Sequence, residues 1–89
     1  MKVYTQYFIV YTLPSTDFKI SPVVSKKISK KAVIRNKIKR RVRHLVRSFF
    51  DKGYFLIIVK EDISSVKFIE LENDFKKNFD KINKLLQIF

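Results

Sequence analysis

The chain has 89 residues, with 20 Lys and Arg against 8 Asp and Glu, which gives a formal net charge of +12 at pH 7. It contains no cysteine, which excludes a disulfide framework and any thiolate metal site, and no apolar run approaches the roughly 20 residues that a membrane-spanning helix needs. Its length and its apolar fraction of 46% predict one small globular domain over residues 1–89, located in the cytoplasm. Its charge favours a polyanionic partner such as nucleic acid.

The N-terminal part of the chain predicts two β-strands. Residues 7–13 are rich in aromatic and β-branched side chains and end at Pro14. Alternation places Tyr7, Ile9 and Tyr11 on one face of this strand and Phe8, Val10 and Thr12 on the other. Both sets contain apolar groups, so the strand is either buried on both sides or offers one aromatic face to a ligand. A second strand over residues 18–25 contains Pro22, which predicts an edge position or a bulge. A hairpin between the two strands is the simplest pairing.

Residues 26–47 concentrate the charge. They hold 11 of the 20 Lys and Arg, and no Asp or Glu occurs between Asp17 and Asp51. Apolar side chains recur at helical spacing through this stretch, at Ile34, Ile38, Val42, Leu45 and Phe49. The pattern predicts a helix over residues 30–50, capped by Ser29 and ended near Gly53, which can take the left-handed conformation. Solvated helices usually intersperse Glu with Lys, so an acid-free cationic face predicts a polyanionic partner. This pattern leaves RNA, DNA and an anionic membrane open.

The C-terminal half predicts a strand and a helix. Residues 54–59, YFLIIV, form a continuous apolar run that is typical of a central strand buried on both faces. A helix separates this strand from the one at 18–25, which favours a parallel pairing. A second helix is predicted over residues 66–86, with Asp74 on a mixed-charge outer face. Its apolar positions are Phe68, Leu71, Phe75, Phe79, Ile82, Leu86 and Phe89. The order β-β-α-β-α predicts an α+β fold in which two helices pack on a small mixed sheet.

The side chains that a protein needs to hydrolyse phosphodiesters are sparse. His44 is the single histidine, and it lies on the polar side of the predicted basic helix. The carboxylates fall outside the basic stretch, in a loop at Glu61 and Asp62 and along the C-terminal helix. Their spacing is not typical of a metal site or a catalytic pair. The sequence therefore predicts no catalytic residue and no metal ligand in the protein itself.

The basic helix carries a specific resemblance to a known family. The run Arg35-Asn36-Lys37-Ile38-Lys39-Arg40-Arg41-Val42-Arg43, preceded by Val24-Ser25-Lys26-Lys27-Ile28 and by Lys31-Ala32-Val33, resembles the signature of the bacterial ribonuclease P protein component. In that family an Arg-Asn-Arg motif is followed by Lys-Arg and a further Arg. The strands at 7–13 and 54–60 and the Phe-rich C-terminal helix also resemble the family's elements, so the likeness covers nearly the whole chain.

The resemblance implies the topology of the second domain of ribosomal protein S5 and a small subunit, monomeric within a ribonucleoprotein, that binds the catalytic RNA of ribonuclease P. That complex removes the 5′ leader of precursor tRNA. The RNA with its Mg²⁺ ions performs the hydrolysis, so no cofactor is expected on the protein alone. The residues expected to contact RNA are Lys26, Lys27, Lys31, Arg35, Asn36, Lys37, Lys39, Arg40, Arg41, Arg43 and Arg47. Tyr11, which matches a cleft aromatic of the family, and Ile9 on the same face are expected to bind the single-stranded leader.

Three departures from the family pattern are visible. Lys37 stands where the motif has its second Arg, which keeps the charge but loses the planar fork. Pro22 and Ser29 stand where the family commonly has Gly. The family's N-terminal helix, whose two aromatics wall the leader cleft, has no counterpart in the sequence. Either the chain begins later than the full protein does, or this member lacks that wall.

Two other functions are compatible with a basic domain of this kind. One is a structural RNA-binding protein of the ribosome-associated type on the same βαβ scaffold. The other is a free-standing nuclease, which the lack of paired carboxylate or histidine groups opposes. Cleavage assays on precursor tRNA at low Mg²⁺, with and without the catalytic RNA, separate these functions.

Overall fold

The order of strands and helices was determined from a computed structural model, which describes residues 2–87. The elements of this part of the chain are β1 (Lys2–Tyr4), β2 (Phe8–Leu13), β3 (Phe18–Val23), α1 (Ala32–Phe49), β4 (Gly53–Val59), α2 (Phe68–Lys77) and α3 (Phe79–Leu86). The sheet order is β1-β2-β4-β3, in which β2 is antiparallel to both of its neighbours and β3 is parallel to β4. The predicted α+β class, the mixed sheet and the parallel pairing are confirmed. The prediction of two helices is wrong, because residues 2–87 contain three.

The predicted hairpin between the strands at 7–13 and 18–25 does not form. Strand β4 lies between β2 and β3, so that Phe55 is opposite Thr12 on one side and Ile20 on the other. Because the sequence of β4 is continuously apolar, an interior position in the sheet removes more of its apolar surface from water than an edge position would. Pro22 lies on the edge strand β3, as predicted, a position at which sheets tolerate proline. The opposite edge is β1, a three-residue strand that the sequence periodicity did not predict.

The helices cover one face of the sheet and leave the other uncovered. Phe8 of β2 and Ile57 of β4 are fully buried in a core that also contains Ile38 of α1. The alternate positions of β4 point away from this core, with Tyr54 41% exposed and Leu56 39% exposed. The prediction that β4 is buried on both faces is therefore wrong. The reason is that the helices within residues 2–87 form a single layer.

Helix α1 spans Ala32–Phe49, close to the predicted range of 30–50. Ser29 is not its N-cap, because Lys31 precedes the first helical residue and no side chain caps the helix. The Ser29 hydroxyl instead accepts a hydrogen bond from the Lys31 backbone N–H at 3.3 Å, one step before the helix begins. Gly53 takes the predicted positive φ, at 110°, as the first residue of β4. This φ lies in the region that side-chain-bearing residues rarely adopt, so the backbone conformation itself favours glycine here.

The predicted C-terminal helix is divided at Asn78 into α2 and α3. The Asn78 side-chain amide donates to the backbone carbonyl of Asp74 at 2.9 Å. Asp74 was predicted on the outer face, and this is wrong, since the residue is 6% exposed. Its carboxylate accepts hydrogen bonds from the backbone N–H groups of Gln6 at 2.9 Å and Tyr7 at 3.1 Å. Among the predicted apolar positions, Leu71, Phe75 and Ile82 are fully buried, and Phe89 lies outside the described residues. A buried carboxylate thus fixes α2 to the turn between β1 and β2.

Candidate nucleic-acid interface

Helix α1 exposes a stripe of polar and cationic side chains along its length. We call this the cationic stripe; its members are Asn36, Lys37, Arg40, His44 and Arg47, all exposed. At about 100° per residue they fall within an arc of roughly 100°, and at 1.5 Å rise they extend over about 16 Å of helix. The opposite side of α1 carries its buried residues, Ile38, Val42, Leu45 and Val46. The apolar spacing of the sequence therefore orients the charge towards solvent, where phosphates can reach it.

Three further basic residues lie on one flank of α1, between the stripe and the core. Arg35, Lys39 and Arg43 follow one another at intervals of four, and all three are half-buried. The Arg35 guanidinium donates to the backbone carbonyl of Ser29 at 2.9 Å, which fixes the loop before the helix. The positive surface of α1 is therefore wider than the stripe and continues onto this flank.

Arg41 is placed differently from the other predicted RNA contacts. Its guanidinium donates to the backbone carbonyl of Val66 and lies 5.9 Å from the centroid of the Phe68 ring. Its Nε is buried and has no hydrogen-bond partner within residues 2–87. Arg41 therefore contacts the segment leading into α2, and its expected contact with RNA stays a prediction.

The loop before α1 carries the remaining predicted lysines. Lys26, Lys27 and Lys31 are all exposed. A turn holds the first two, in which the Ser25 carbonyl accepts a hydrogen bond from the Ile28 N–H at 3.0 Å. Lys31 directly precedes the first residue of α1, so these lysines continue the positive surface past the N-terminal end of the helix.

His44 belongs to the cationic stripe but was not among the predicted RNA contacts. It is exposed, and its ring centroid lies 5.1 Å from that of Phe68. Its spacing of four from Arg40 would have placed it on the same face. Its geometry fits a role at the polar surface of α1 and not within the core.

A second candidate surface is the face of the sheet that the helices leave uncovered. We call it the open face. It is made of the residues that alternate with the buried ones, namely Lys2, Tyr4, Ile9, Tyr11, Leu13, Lys19, Ser21, Val23, Tyr54, Leu56 and Ile58. Tyr11 and Ile9, the two predicted leader contacts, both lie on it and are half-buried. The predicted alternation is thus confirmed within β2, with Phe8 and Val10 on the core side. It is wrong for Tyr7, which precedes β2 and is buried in the core instead of sharing a face with Ile9 and Tyr11.

Tyrosines on the open face are accompanied by lysines. The Lys2 ammonium lies 5.3 Å from the centroid of Tyr4 and 5.7 Å from that of Tyr11, within the range of a cation–π contact. Its interactions with Tyr4 and then Tyr11 raise the pKa of Lys2 above 10.5, so the ammonium is charged at neutral pH.

A shallow pocket of about 490 Å³ opens at one end of this face. Its open-face lining consists of Tyr11, Leu13, Lys19, Ser21, Tyr54 and Leu56. Periodicity alone missed the last two, because the YFLIIV run shows no alternation of polarity. The signal that could have identified them was the small number of predicted helices, because a single layer of helices can cover only one face of a sheet.

Within residues 2–87, no group of three or more His, Asp or Glu side chains is arranged to hold a metal ion. In the same part of the chain, no helix has the length and apolar content needed to cross a bilayer.

An acid-free stripe on one helix, together with an uncovered aromatic sheet face, defines a class of small basic α+β proteins suited to bind a phosphate backbone and unpaired bases. A sequence model described as Ribonuclease P matches residues 1–83. The chain belongs to the Ribonuclease P family.

Individual relatives agree with this assignment. A Ribonuclease P protein component from Thermus brockianus is 34% identical over 77 residues, covering 85% of this chain and 47% of the relative. One from Rickettsia akari (strain Hartford) is 48% identical over 60 residues, covering 67% of this chain and 43% of the relative. The chain thus spans about half the length of the curated relatives it matches. The solved RNase P protein from Thermotoga maritima is similar over 100% of this chain and 84% of its own length, with 26% identity and a TM-score of 0.69.

Proposed function

We propose that this chain acts as the protein subunit of ribonuclease P in the cytoplasm. It binds, as a monomer, the catalytic RNA through the cationic stripe and the 5′ leader of precursor tRNA through the open face. The RNA and its Mg²⁺ ions carry out the endonucleolytic cleavage, and the protein contributes no catalytic side chain and binds no cofactor alone. The observation that carries the proposal is the exposed, acid-free cationic stripe of α1 in a chain of this family.

The role of the stripe follows from its charge. Catalytic RNA and precursor tRNA are both polyanions, so their close approach costs electrostatic free energy that cations between them reduce. Arg40 and Arg47 offer planar guanidinium groups that can pair with two phosphate oxygens, and Lys37 offers a compact point charge. Neutralisation of phosphates also releases condensed counterions, which makes the binding steeply dependent on salt.

The role of the open face follows from its aromatic and apolar side chains. An unpaired base can stack on any exposed ring, because every base has a π-face. Stacking on Tyr11, with apolar contact from Ile9, therefore tolerates different leader sequences. This tolerance suits a protein whose substrates share a mature tRNA body and differ in their leaders.

The decisive experiment measures cleavage of a leader-bearing precursor tRNA by the cognate catalytic RNA at low Mg²⁺, with and without the protein. We expect the protein to raise the cleavage rate and to leave the cleavage site at the mature 5′ end. Binding of RNA without any change in cleavage would instead indicate a structural RNA-binding protein. Cleavage by the protein without the catalytic RNA would indicate a free-standing nuclease.

A further inference from the structure

A pocket of about 450 Å³ opens at the edge of the sheet, between β1 and α3. We call it the lysine pocket; its lining consists of Lys2, Val3, Tyr4, Lys81, Lys84 and Leu85. Strand β1 is the edge of the sheet on this side, and α3 packs against it. Helix α1 packs instead against β3, the strand at the opposite edge. The lysine pocket is therefore separate from the cationic stripe.

Three cations converge on the lysine pocket. Lys81 and Lys84 are three residues apart, which makes them neighbours on one side of α3. Lys2 approaches from β1, and all three lysines are exposed. Among residues 2–87, no Asp or Glu lines the pocket, so no carboxylate of its wall neutralises these charges. Like charges held close together repel one another, and a bound polyanion would offset that repulsion.

Two of these lysines have an explanation that needs no ligand. Lys84 lies in the last turn of α3, where a cation compensates the helix dipole. Lys2 lies on an edge strand, where a charge discourages pairing with another chain. Neither explanation accounts for Lys81, or for the position of all three cations around one opening. Their convergence is therefore the observation that indicates a ligand.

The charge and the size of the lysine pocket suit a terminal polyphosphate. An ammonium group is a compact charge with three hydrogen-bond donors, which suits phosphate oxygens. Phosphodiesters within a nucleic-acid strand carry single charges that are spread along the backbone. A 5′-triphosphate concentrates several charges in one group, so it can engage three ammonium groups at once. The volume of the pocket falls within the range of roughly 300–1,000 Å³ that is common for small-molecule sites.

The lysine pocket adjoins the open face of the sheet. Lys2 is opposite Tyr11 in the pairing of β1 with β2, and its ammonium lies 5.7 Å from the centroid of the Tyr11 ring. Tyr4, on the same face, is 59% exposed and offers its ring to a base next to the pocket. An RNA strand that crosses the open face towards β1 can therefore place its terminus at the three lysines.

We propose that the lysine pocket binds the 5′-terminal triphosphate of an RNA strand through Lys2, Lys81 and Lys84. Tyr4 packs against the first base. The inference rests on the proposed function for the identity of the RNA, which is then the leader of a precursor tRNA that still carries the triphosphate with which a transcript begins. The site recognises the chemical state of the RNA end and not its sequence, so it distinguishes an intact transcript from a trimmed one. A free nucleoside triphosphate presents the same chemistry and is the other source of such a ligand.

The test uses the full chain, the cognate catalytic RNA and precursor tRNAs of one sequence that begin with a 5′-triphosphate, a 5′-monophosphate or a 5′-hydroxyl. Each is prepared with a series of leader lengths, because the terminus must reach across the open face to the lysine pocket. At the leader length that reaches it, we expect the triphosphate form to bind about tenfold more tightly than the hydroxyl form, from three exposed ion pairs. The affinity of the monophosphate form should fall between the two.

A pair of double variants assigns this difference to the lysine pocket. Lys81→Ala with Lys84→Ala should remove most of the advantage of the triphosphate form. Lys76→Ala with Lys77→Ala is the matched control, because it removes the same charge from exposed positions of α2 outside the pocket. The control should keep the advantage, and both double variants should bind the hydroxyl form equally well.

Two results would overturn the inference. One is equal affinity of the unsubstituted protein for the three 5′ ends at every leader length, and the other is an equal loss of the triphosphate advantage in both double variants. If the 5′ end has no effect but GTP binds the protein alone in a manner that depends on Lys81 and Lys84, the pocket belongs to a free nucleotide and not to an RNA end. These results differ from failure of the proposed function, in which the unsubstituted protein does not raise the cleavage rate of any precursor.

Discussion

The cationic stripe of α1 and the open face of the sheet expose very different side chains. The stripe contains three permanent or nearly permanent cations, Lys37, Arg40 and Arg47, and no aromatic ring other than the imidazole of His44. The open face contains three tyrosines, several aliphatic side chains and the lysines of its edge strands. A surface of the first kind binds through long-range charge that salt screens, whereas the second binds through short-range stacking that salt affects little. The difference predicts that substitutions on the stripe alter the salt-dependent affinity for RNA, whereas substitutions on the open face alter the binding of unpaired bases.

The largest effect is expected from removing the charge of the stripe. A triple variant with Lys37→Ala, Arg40→Ala and Arg47→Ala should lower the slope of log affinity against log salt by roughly two to three units, from the loss of three phosphate contacts. Binding of the catalytic RNA measured between low and physiological salt gives this slope.

A matched control removes the same charge elsewhere. Lys76, Lys77 and Lys81 are exposed on α2 and α3, and replacing all three by Ala takes the net charge from +12 to +9 (12 minus 3), as the stripe variant does. The control should keep most of the slope. If the slope of log affinity against log salt decreases equally in both variants, only the net charge matters and the stripe is not a binding surface.

A smaller effect is expected on the open face. Tyr11→Ala should weaken binding of leader-bearing precursor tRNA about five- to tenfold and leave binding of mature tRNA unchanged, because only the leader offers an unpaired base there. The salt slope should not change. Tyr11→Phe provides the control, and equal losses for the two RNAs would remove Tyr11 from the leader site.

Arg40 and Arg41 are adjacent in sequence and provide a sharper comparison within α1. Arg41→Ala should lower the free energy of unfolding by about 1–2 kcal/mol, since it removes a charged hydrogen bond to Val66 and the contact with Phe68. Arg40→Ala should change stability by less than about 0.5 kcal/mol and lower the salt slope by about one contact. Chemical denaturation and RNA binding of the two variants measure both quantities. If Arg41→Ala instead lowers the salt slope and leaves the stability unchanged, Arg41 lies in the RNA interface.

The smallest effect is expected at Asp62, in the loop after β4. Hydrogen bonds from Ser64 hold the pKa of Asp62 below its ordinary value of 3.8, with the charge of Lys37 adding to them. The stabilisation by this carboxylate is therefore present above pH 3.8 and is lost as the pH falls through the lowered folded pKa. Asp62→Asn should lack this acid-dependent loss, and at neutral pH its stability should differ by less than about 0.5 kcal/mol. Denaturation at pH 7 and across the acid range checks this, and identical pH profiles would contradict it.

The cationic stripe could be predicted from sequence because its determinants are local. Periodicity fixes which side of an amphipathic helix is buried, whatever it packs against, so the exposure of Arg40 and Arg47 follows from the spacing of Ile38, Val42 and Leu45. The contacts of Arg41 with Val66 and Phe68 could not be predicted in the same way. Val66 and Phe68 are 25 and 27 residues further along the chain and meet α1 only through the tertiary fold.

The sheet shows where local patterns fail. The YFLIIV run indicated correctly that β4 is interior in the sheet, but burial of its two faces depends on how many layers surround it. The helix break at Asn78 and the burial of Asp74 likewise depend on the turn at Gln6 and Tyr7, far away in sequence. Strand β1 is too short to show a periodic signal.

The insertion of β4 between β2 and β3 has a consequence for the order in which the chain can organise itself. Until residues 53–59 are in place, β3 has no neighbouring strand in the sheet, and β2 can pair only with β1. Helix α1 is connected to this unpaired β3 at one end and to β4 at the other. Local opening of β4 would therefore release the edge strand, deprive α1 of the sheet it packs on, and remove Tyr54 from the lining of the pocket. The cationic stripe and the open face thus both depend on one central strand.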